Sequence, residues 1–306
     1  MKKIILVFVV LSVVLFGEDI KVLNNDEVAL LQKGADQGNA DAQFYLADIY
    51  FEDKNYKKAM ELYIKASTQG NISAQFNVAQ MYNKGLGVKQ DYIKAAKYYE
   101  QASDQGYANA QYNLGFAYEN GQGVKQDIQK SVELYKKAAK QGVVNAQYNL
   151  GIIYDNGKGV KQDYRKAAKY YQQASDNGDI ESQVNLGGMY MKGQGVKKNT
   201  KKATELYKKA ADHGNAQAQY NLGIIYNKGL GVKKDIQKSL ELYKKSAKQG
   251  YASAQSSLGL MYVMGSGVKE DKVKAYQWWM KASKQGDTNA KKYLDFLCQR
   301  SPWACK

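Results

Sequence analysis

Residues 107–142 read YANAQYNLGFAYENGQGVKQDIQKSVELYKKAAKQG, and this segment is the unit from which most of the chain is built. Similar sequences recur at a spacing of 36 residues or a multiple of it. For example, Ala-Gln-Tyr-Asn-Leu-Gly occurs at 110–115, 146–151 and 218–223. The glycine that closes each segment keeps the same spacing and occurs as Gly70, Gly106, Gly142, Gly178, Gly214, Gly250 and Gly286. A period of this size is typical of proteins built from stacked structural repeats.

The first half of each repeat is predicted to be a helix. Ala110, Leu114 and Tyr118 follow one another at intervals of four residues and therefore share one helical face. Gly115, within this helix, costs about 1 kcal/mol relative to Ala. Its recurrence predicts that another helix packs too close to it for a side chain.

The second half of each repeat is predicted to be another helix. Gly121 is placed to end the first helix and Asp127 to cap the start of the second. The apolar face of the second helix is formed by Ser131, Leu134, Tyr135 and Ala138. A lone pair of helices cannot bury this face, so neighbouring repeats must cover it.

The repeats divide the chain into ten segments. Residues 1–17 are predicted to be a signal peptide, 18–38 an N-terminal capping helix, and 287–306 a C-terminal capping helix and tail. The repeats between them are predicted at 39–70, which is shorter, and at 71–106, 107–142, 143–178, 179–214, 215–250 and 251–286.

This layout resembles the Sel1-like repeat, a longer relative of the tetratricopeptide repeat. The motifs that carry the resemblance are Ala-x-x-x-Leu-Gly-x-x-Tyr, the Gly-x-Gly-Val loop and Lys-Ala-x-x-x-Tyr-x-x-Ala-x-x-x-Gly, over residues 39–286. The resemblance implies an all-α fold, a right-handed α-solenoid of antiparallel helix pairs.

The first helices supply the candidate binding groove, because in the related tetratricopeptide arrays they line the concave side. The resemblance points to a groove formed by Phe76, Tyr112, Asn113, Phe116, Tyr148, Asn149, Ile152, Asn185, Tyr220, Asn221 and Ile224. These side chains predict an apolar or aromatic peptide ligand whose backbone is bonded by the Asn amides. The alternative is that the same stripe is core between successive first helices.

The N-terminus predicts export. Met1-Lys2-Lys3 precedes thirteen mostly apolar residues, Ile4 to Phe16, and a small residue, Gly17. This order is typical of a signal peptide, and the apolar run is too short to span a bilayer. We expect a secreted or periplasmic protein, a monomer, with no transmembrane span after cleavage; an uncleaved anchor is the alternative.

The chain offers little material for catalysis or metal binding. It contains one His and two Cys among 306 residues, and we predict no catalytic residue, no cofactor and no metal site. Ser266-Gly-Val-Lys269 matches a β-lactamase nucleophile motif, but it falls in a repeat loop and lacks the companion motifs. Cys298 and Cys305 are expected to form a disulfide in an oxidising compartment, with two free thiols as the alternative.

The charge is strongly basic, with a formal net charge of +16 from 45 Lys and Arg against 29 Asp and Glu. Only Arg165 and Arg300 are Arg. Specific recognition of nucleic acid favours Arg, so this composition argues against it. A solvated outer face is one interpretation of the lysines, and weak attraction to anionic polymers of the cell envelope is the other.

Three functions follow. The favoured one is a scaffold that binds a protein or peptide partner without catalysis. The second is β-lactamase or penicillin-binding activity, which is attributed to the secreted, cysteine-rich Sel1-like proteins of the Hcp type that the chain resembles in its signal, repeat and terminal Cys pair. The third is binding to peptidoglycan.

The chain departs from the Hcp type at the per-repeat disulfides. The equivalent positions are Ser67 and Gln75, Ser103 and Gln111, Ala139 and Gln147, Ser175 and Gln183, Ala211 and Gln219, and Ala247 and Gln255.

Overall fold

The computed structural model describes residues 24–305, and this part of the chain is all-helical, with sixteen α-helices and no strand. The fold class expected from the sequence is confirmed, since consecutive helices pack in pairs as in Sel1-like repeat proteins. The signal peptide expected at residues 1–17 lies outside the described residues.

The described chain forms two compact units. The first contains residues 24–150 and 158–160, and the second contains 151–157 and 161–305. Helix α8 (Val144–Asn156) contributes to both. The other helices of the first unit are α1 (Asn25–Asp36), α2 (Ala40–Glu52), α3 (Tyr56–Thr68), α4 (Ile72–Lys84), α5 (Tyr92–Asp104), α6 (Ala108–Asn120) and α7 (Ile128–Lys140).

The second unit continues the same alternation and ends in a short 3-10 helix, Pro302–Cys305. Its remaining helices are α9 (Tyr164–Asp176), α10 (Ile180–Lys192), α11 (Thr200–Asp212), α12 (Ala216–Lys228), α13 (Ile236–Lys248), α14 (Ala252–Met264), α15 (Lys272–Lys284) and α16 (Thr288–Arg300). We call the even-numbered helices α2 to α14 the first helices and the odd-numbered helices α3 to α15 the second helices.

The predicted helix ends are confirmed in the repeat at residues 107–142. Gly121 follows α6 in the left-handed region, with φ 69°, and its N–H donates to the Ala117 carbonyl. The Asp127 side chain accepts the Lys130 N–H at 3.0 Å and caps α7. The loop between these caps reverses the chain, so that the second helix of the repeat packs against the first.

The helical glycines lie where a neighbouring helix approaches closely, as predicted. A Cβ added to Gly115 would lie 2.9 Å from Cδ1 of Tyr135, a buried residue of α7. In the second unit a Cβ on Gly223 would lie 2.6 Å from Cε1 of Tyr243. The loss of helix propensity at these glycines is therefore offset by tight packing of an aromatic ring.

A buried glutamine stands at each position where the Hcp type would have the second cysteine of a disulfide. Gln75 is 6% exposed and donates to the Ser67 carbonyl at 3.4 Å, across the two positions that a disulfide would join. Its own side-chain oxygen accepts the Gln105 amide at 2.7 Å. The same bonds recur at Gln43, Gln111, Gln219 and Gln255. At these positions the ladder of amides links the end of one helix to the start of the next first helix.

The chain end is fastened to the last helix. The Sγ atoms of Cys298 and Cys305 lie 2.05 Å apart, and their Cα atoms are separated by 5.7 Å. Ala304, between them in the 3-10 helix, is 2% exposed. Cys305 packs against the apolar cluster of Trp279 and Leu297. The four-residue 3-10 helix therefore packs over the end of this cluster.

Candidate binding face of the first helices

The predicted groove residues differ in how far they reach the surface. In the first unit Phe76 is 9% exposed and packs against the rings of Tyr99 and Tyr107, at 5.9 Å and 5.0 Å between centroids. Tyr112 is half-buried and packs against Tyr135 at 5.6 Å. These two predicted groove residues are therefore occupied largely in packing against the neighbouring helices.

Phe116 is the best exposed of the predicted groove residues, with 42% of its surface accessible. It lies two turns along α6 from the start of the helix and borders a cavity of about 50 Å³ together with Asn113, Tyr99 and Asn83. The cavity is large enough for one or two small groups. An exposed aromatic ring beside a small polar-edged cavity is a feature that a partner side chain can use.

The asparagines beside this stripe bond to tyrosine hydroxyls of the protein. The Asn113 amide contacts the hydroxyl of Tyr99, and burial raises the pKa of that hydroxyl to about 12. Asn149 contacts the hydroxyls of Tyr112 and Tyr135 in the same way. Part of the hydrogen-bonding capacity expected for a ligand is therefore used inside the fold.

Tyr148, the remaining predicted residue of the first unit, is half-buried. In the second unit all five predicted residues are half-buried; they are Ile152, Asn185, Tyr220, Asn221 and Ile224. Tyr220 packs against Tyr243 at 5.7 Å and against Tyr251 at 5.3 Å. The stripe is thus partly covered within each unit and reaches solvent most fully at Phe116.

Carboxylates on the first helices were not expected from the sequence. In α2, Asp48 accepts a hydrogen bond from the Tyr63 hydroxyl, and burial raises the pKa of Asp48 to about 6, while that bond from Tyr63 lowers it. In α6, Glu119 accepts the Tyr135 hydroxyl at 2.7 Å and pairs with Lys158 at 2.8 Å. In the sequence, the signal for such a carboxylate was its recurrence near the end of two successive first helices, at Glu119 and Asp155.

The chemistry-bearing residues of the sequence do not converge. Ser266 is half-buried in the loop after α14, and its N–H donates to the Met261 carbonyl. His213 is exposed, and its Nδ1 lies 2.9 Å from the Lys209 carbonyl. Among residues 24–305 there is no group of three His, Cys, Asp or Glu side chains placed to hold a metal ion.

Over the same residues, every helix falls short of the length and apolarity required to cross a bilayer.

A comparison with protein families identifies the type of repeat. The Sel1 repeat model matches seven consecutive segments, at residues 40–71, 72–107, 108–143, 144–179, 180–215, 216–251 and 252–287.

Two crystal structures resemble the chain over most of its length. One is c5321, a protective antigen present in uropathogenic Escherichia coli strains that displays an SLR fold. It is 34% identical with a TM-score of 0.87, and the match covers 90% of this chain and 60% of the antigen. The other is a Sel1 repeat protein from Oxalobacter formigenes, which is 32% identical with a TM-score of 0.67 over 78% of this chain and 96% of that one.

A curated relative matches only locally. The HRD3 component of the ERAD-associated E3 ubiquitin-protein ligase of Candida glabrata is 43% identical over 56 residues. This match covers 18% of the present chain and 7% of HRD3.

Proposed function

The chain belongs to the Sel1 repeat family, and from that premise we propose that it is an exported scaffold that holds a protein or peptide partner on the faces of its first helices. Arrays of Sel1 and tetratricopeptide type are typical of protein–protein interaction, because they present wide surfaces from a repeated core. The observation that carries the proposal is Phe116, an aromatic ring left 42% exposed beside a small cavity on this face.

The predicted ligand is a peptide segment with an apolar or aromatic side chain. Such a side chain would cover Phe116 and bury its exposed surface, which is the kind of anchor that dominates protein interfaces. The Asn113 side chain lies next to this ring and is half-buried, so its amide would contribute a polar contact at the edge.

Capture from native envelope fractions tests the proposal. We compare the full chain with Phe116→Asp and with Val273→Asp, a control of equal exposure (41%) at the start of a second helix. Proteins bound by the parent chain should be lost at least about tenfold with Phe116→Asp and retained with Val273→Asp. Equal retention by both variants, or no specific capture by the parent chain, would contradict this assignment.

Export is part of the same proposal, with residues 1–17 as a cleaved signal peptide. An extracytoplasmic location would also allow the bond between Cys298 and Cys305 to persist. Intact mass of the protein recovered from the producing cell tests both points. The expected species begins at Glu18 and lacks two thiol hydrogens; a full-length, reduced chain recovered from the cytoplasm would contradict them.

Two other functions predict different results with the same protein. β-Lactamase activity would give turnover of a chromogenic cephalosporin above a heat-treated control. Peptidoglycan binding through the lysines would give sedimentation with purified walls that is released by salt, because screening weakens exposed charge pairs. The scaffold function is identified when three results occur together. A partner is lost with Phe116→Asp, the cephalosporin is not turned over, and no salt-sensitive sedimentation with walls is seen.

A further inference from the structure

One concave feature of the first unit lies away from the predicted groove. It is a cleft of about 820 Å³ between the start of α5 and the Gly121–Lys125 loop. Tyr82, Val88, Ile93 and Val124 are among its apolar walls. Its cations are Lys89, Lys94 and Lys125. None of the residues predicted for the first-helix groove lines this cleft.

The cleft exists because of how the loop glycine docks. A Cβ on Gly123, which has φ 70°, would overlap the Tyr92 carbonyl oxygen, so this loop rests directly on the backbone at the start of α5. In the next repeat the equivalent Gly159 instead faces the side chain of Ile128, at 2.6 Å from a Cβ placed on the glycine. Tyr92 is the first residue of α5. Its ring forms part of the cleft wall and is 39% exposed.

The same construction recurs in the second unit. There Gly195 rests on the Tyr164 backbone, and the cleft of about 510 Å³ includes Lys161, Tyr164 and Lys166. Arg165 occupies the position that corresponds to Ile93. The first cleft is therefore amphipathic, whereas its counterpart is mainly cationic.

Two of the lysines in the first cleft are available to an external anion. Lys94 is already held over the Tyr82 ring, at 5.2 Å from its centroid, and pairs with Asp91 at 3.6 Å. Lys89 and Lys125 are exposed and have no carboxylate within ion-pair distance among residues 24–305. Ile93 lines the same cleft and is 71% exposed, which is unusual for its type.

Charge is distributed unevenly between the two sets of helices. The seven second helices carry 24 Lys and Arg against 8 Asp and Glu, while the seven first helices carry 3 against 6. An anionic partner is therefore attracted toward the second helices and their loops, where the cleft lies, and away from the first-helix face.

We propose that the cleft between α5 and the Gly121–Lys125 loop binds an acidic peptide segment of a partner protein, with carboxylates on Lys89 and Lys125 and an apolar side chain against Ile93 and Val124. The apolar walls favour such a segment over a uniformly charged polymer, which would leave Ile93 uncovered. The concavity favours a chain over the flat surface of a bilayer.

The experiment measures fluorescence anisotropy of a short labelled peptide that alternates Glu and Leu, with the full chain at about 0.1 M salt. Lys89→Glu/Lys125→Glu should weaken binding at least tenfold, and Ile93→Ser about threefold. Lys65→Glu/Lys136→Glu, which makes the same charge change on α3 and α7, should leave it within twofold. Phe116→Asp should also leave it unchanged, which separates this site from the first-helix face.

Four results would overturn the proposal. They are no binding by the parent chain, equal loss with the Lys65→Glu/Lys136→Glu control, equally tight binding of poly-glutamate, and displacement of the peptide by vesicles rich in phosphatidylglycerol. Circular dichroism of each variant shows whether it is folded; if the double cleft variant unfolds, Ile93→Ser and Lys125→Ala carry the test with the same expected direction.

Discussion

At the level of single side chains, the buried glutamine ladder shows what one substitution does. Gln219 accepts the Gln249 amide at 2.9 Å, but the corresponding donor for Gln183 has been replaced by His213. His213 turns to the Lys209 carbonyl of its own helix instead, at 2.9 Å. The side-chain oxygen of Gln183, which is 4% exposed, has no partner among the described residues. A buried acceptor left unpaired costs stability.

His213→Gln should therefore stabilise the protein. The new amide would reach the Gln183 oxygen as its counterparts do, and the free energy of unfolding should rise by about 1–2 kcal/mol. Chemical denaturation measures this. The reciprocal change, Gln249→His, should destabilise by a similar amount, and an unchanged stability in both variants would show that the ladder contributes nothing.

Asp48 makes stability depend on pH. Burial is the main cause that raises its pKa from 3.8 to about 6 in the folded protein, so the folded state holds the proton more tightly than the unfolded state. The contribution to stability is complete below about pH 4 and is lost as the pH rises through about 6.

Asp48→Asn should remove this dependence. The variant should exceed the parent chain by roughly 2–3 kcal/mol at pH 8 and match it near pH 4, because the shift corresponds to about two pH units. Thermal or urea unfolding at several pH values is the measurement. Asp53→Asn, an exposed change just after the same helix, serves as the control, and the same gain there would contradict the assignment.

At the level of helices, the contact between a glycine and an aromatic ring sets how closely the two helices of a repeat approach. Gly187 and Gly188 are neighbours in α10 that meet this constraint differently. A Cβ on Gly187 would lie 2.8 Å from Cε1 of Tyr207, whereas one on Gly188 would lie 3.6 Å from the Tyr207 hydroxyl, an ordinary contact.

The two glycines should respond oppositely to Ala. Gly187→Ala should destabilise by about 1–3 kcal/mol, because overpacking outweighs the gain in helix propensity. Gly188→Ala should stabilise by about 0.5–1 kcal/mol. Denaturation of the two variants in parallel is the test, and destabilisation by both would mean that the ring contact is not what requires glycine.

The helix boundaries and this glycine contact could be predicted from the sequence, since both follow from local periodicity at Gly115, Gly121 and Asp127. The glutamine ladder could not, because a polar residue in a helical pattern is normally assigned to the surface. Exposure along the groove could not be predicted either. Phe76 and Phe116 both belong to the predicted stripe, yet Phe76 is 9% exposed and packs against two tyrosine rings, whereas Phe116 is 42% exposed.

For the molecule as a whole, nearest-neighbour contact between repeats predicts how it tolerates length changes. In the second unit each helix packs on the next one along the chain, so removing a whole period restores equivalent neighbours. Excision of residues 216–251 should give a folded, slightly less stable protein. Excision of 216–233 leaves two second helices in succession, so the helices next to the junction should lose their packing and the helical content should fall. Circular dichroism and melting distinguish these outcomes, and equal behaviour of the two would contradict the repeat account.

The binding role rests on Phe116, and site-specific photocrosslinking tests it in the producing cell. A benzophenone amino acid at position 116 should give crosslinks to a discrete partner, identified by mass spectrometry, while the same group at position 136 on a second helix should give none to that partner. Crosslinks to the same partner from position 136, or none at all from position 116, would contradict a binding face formed by the first helices.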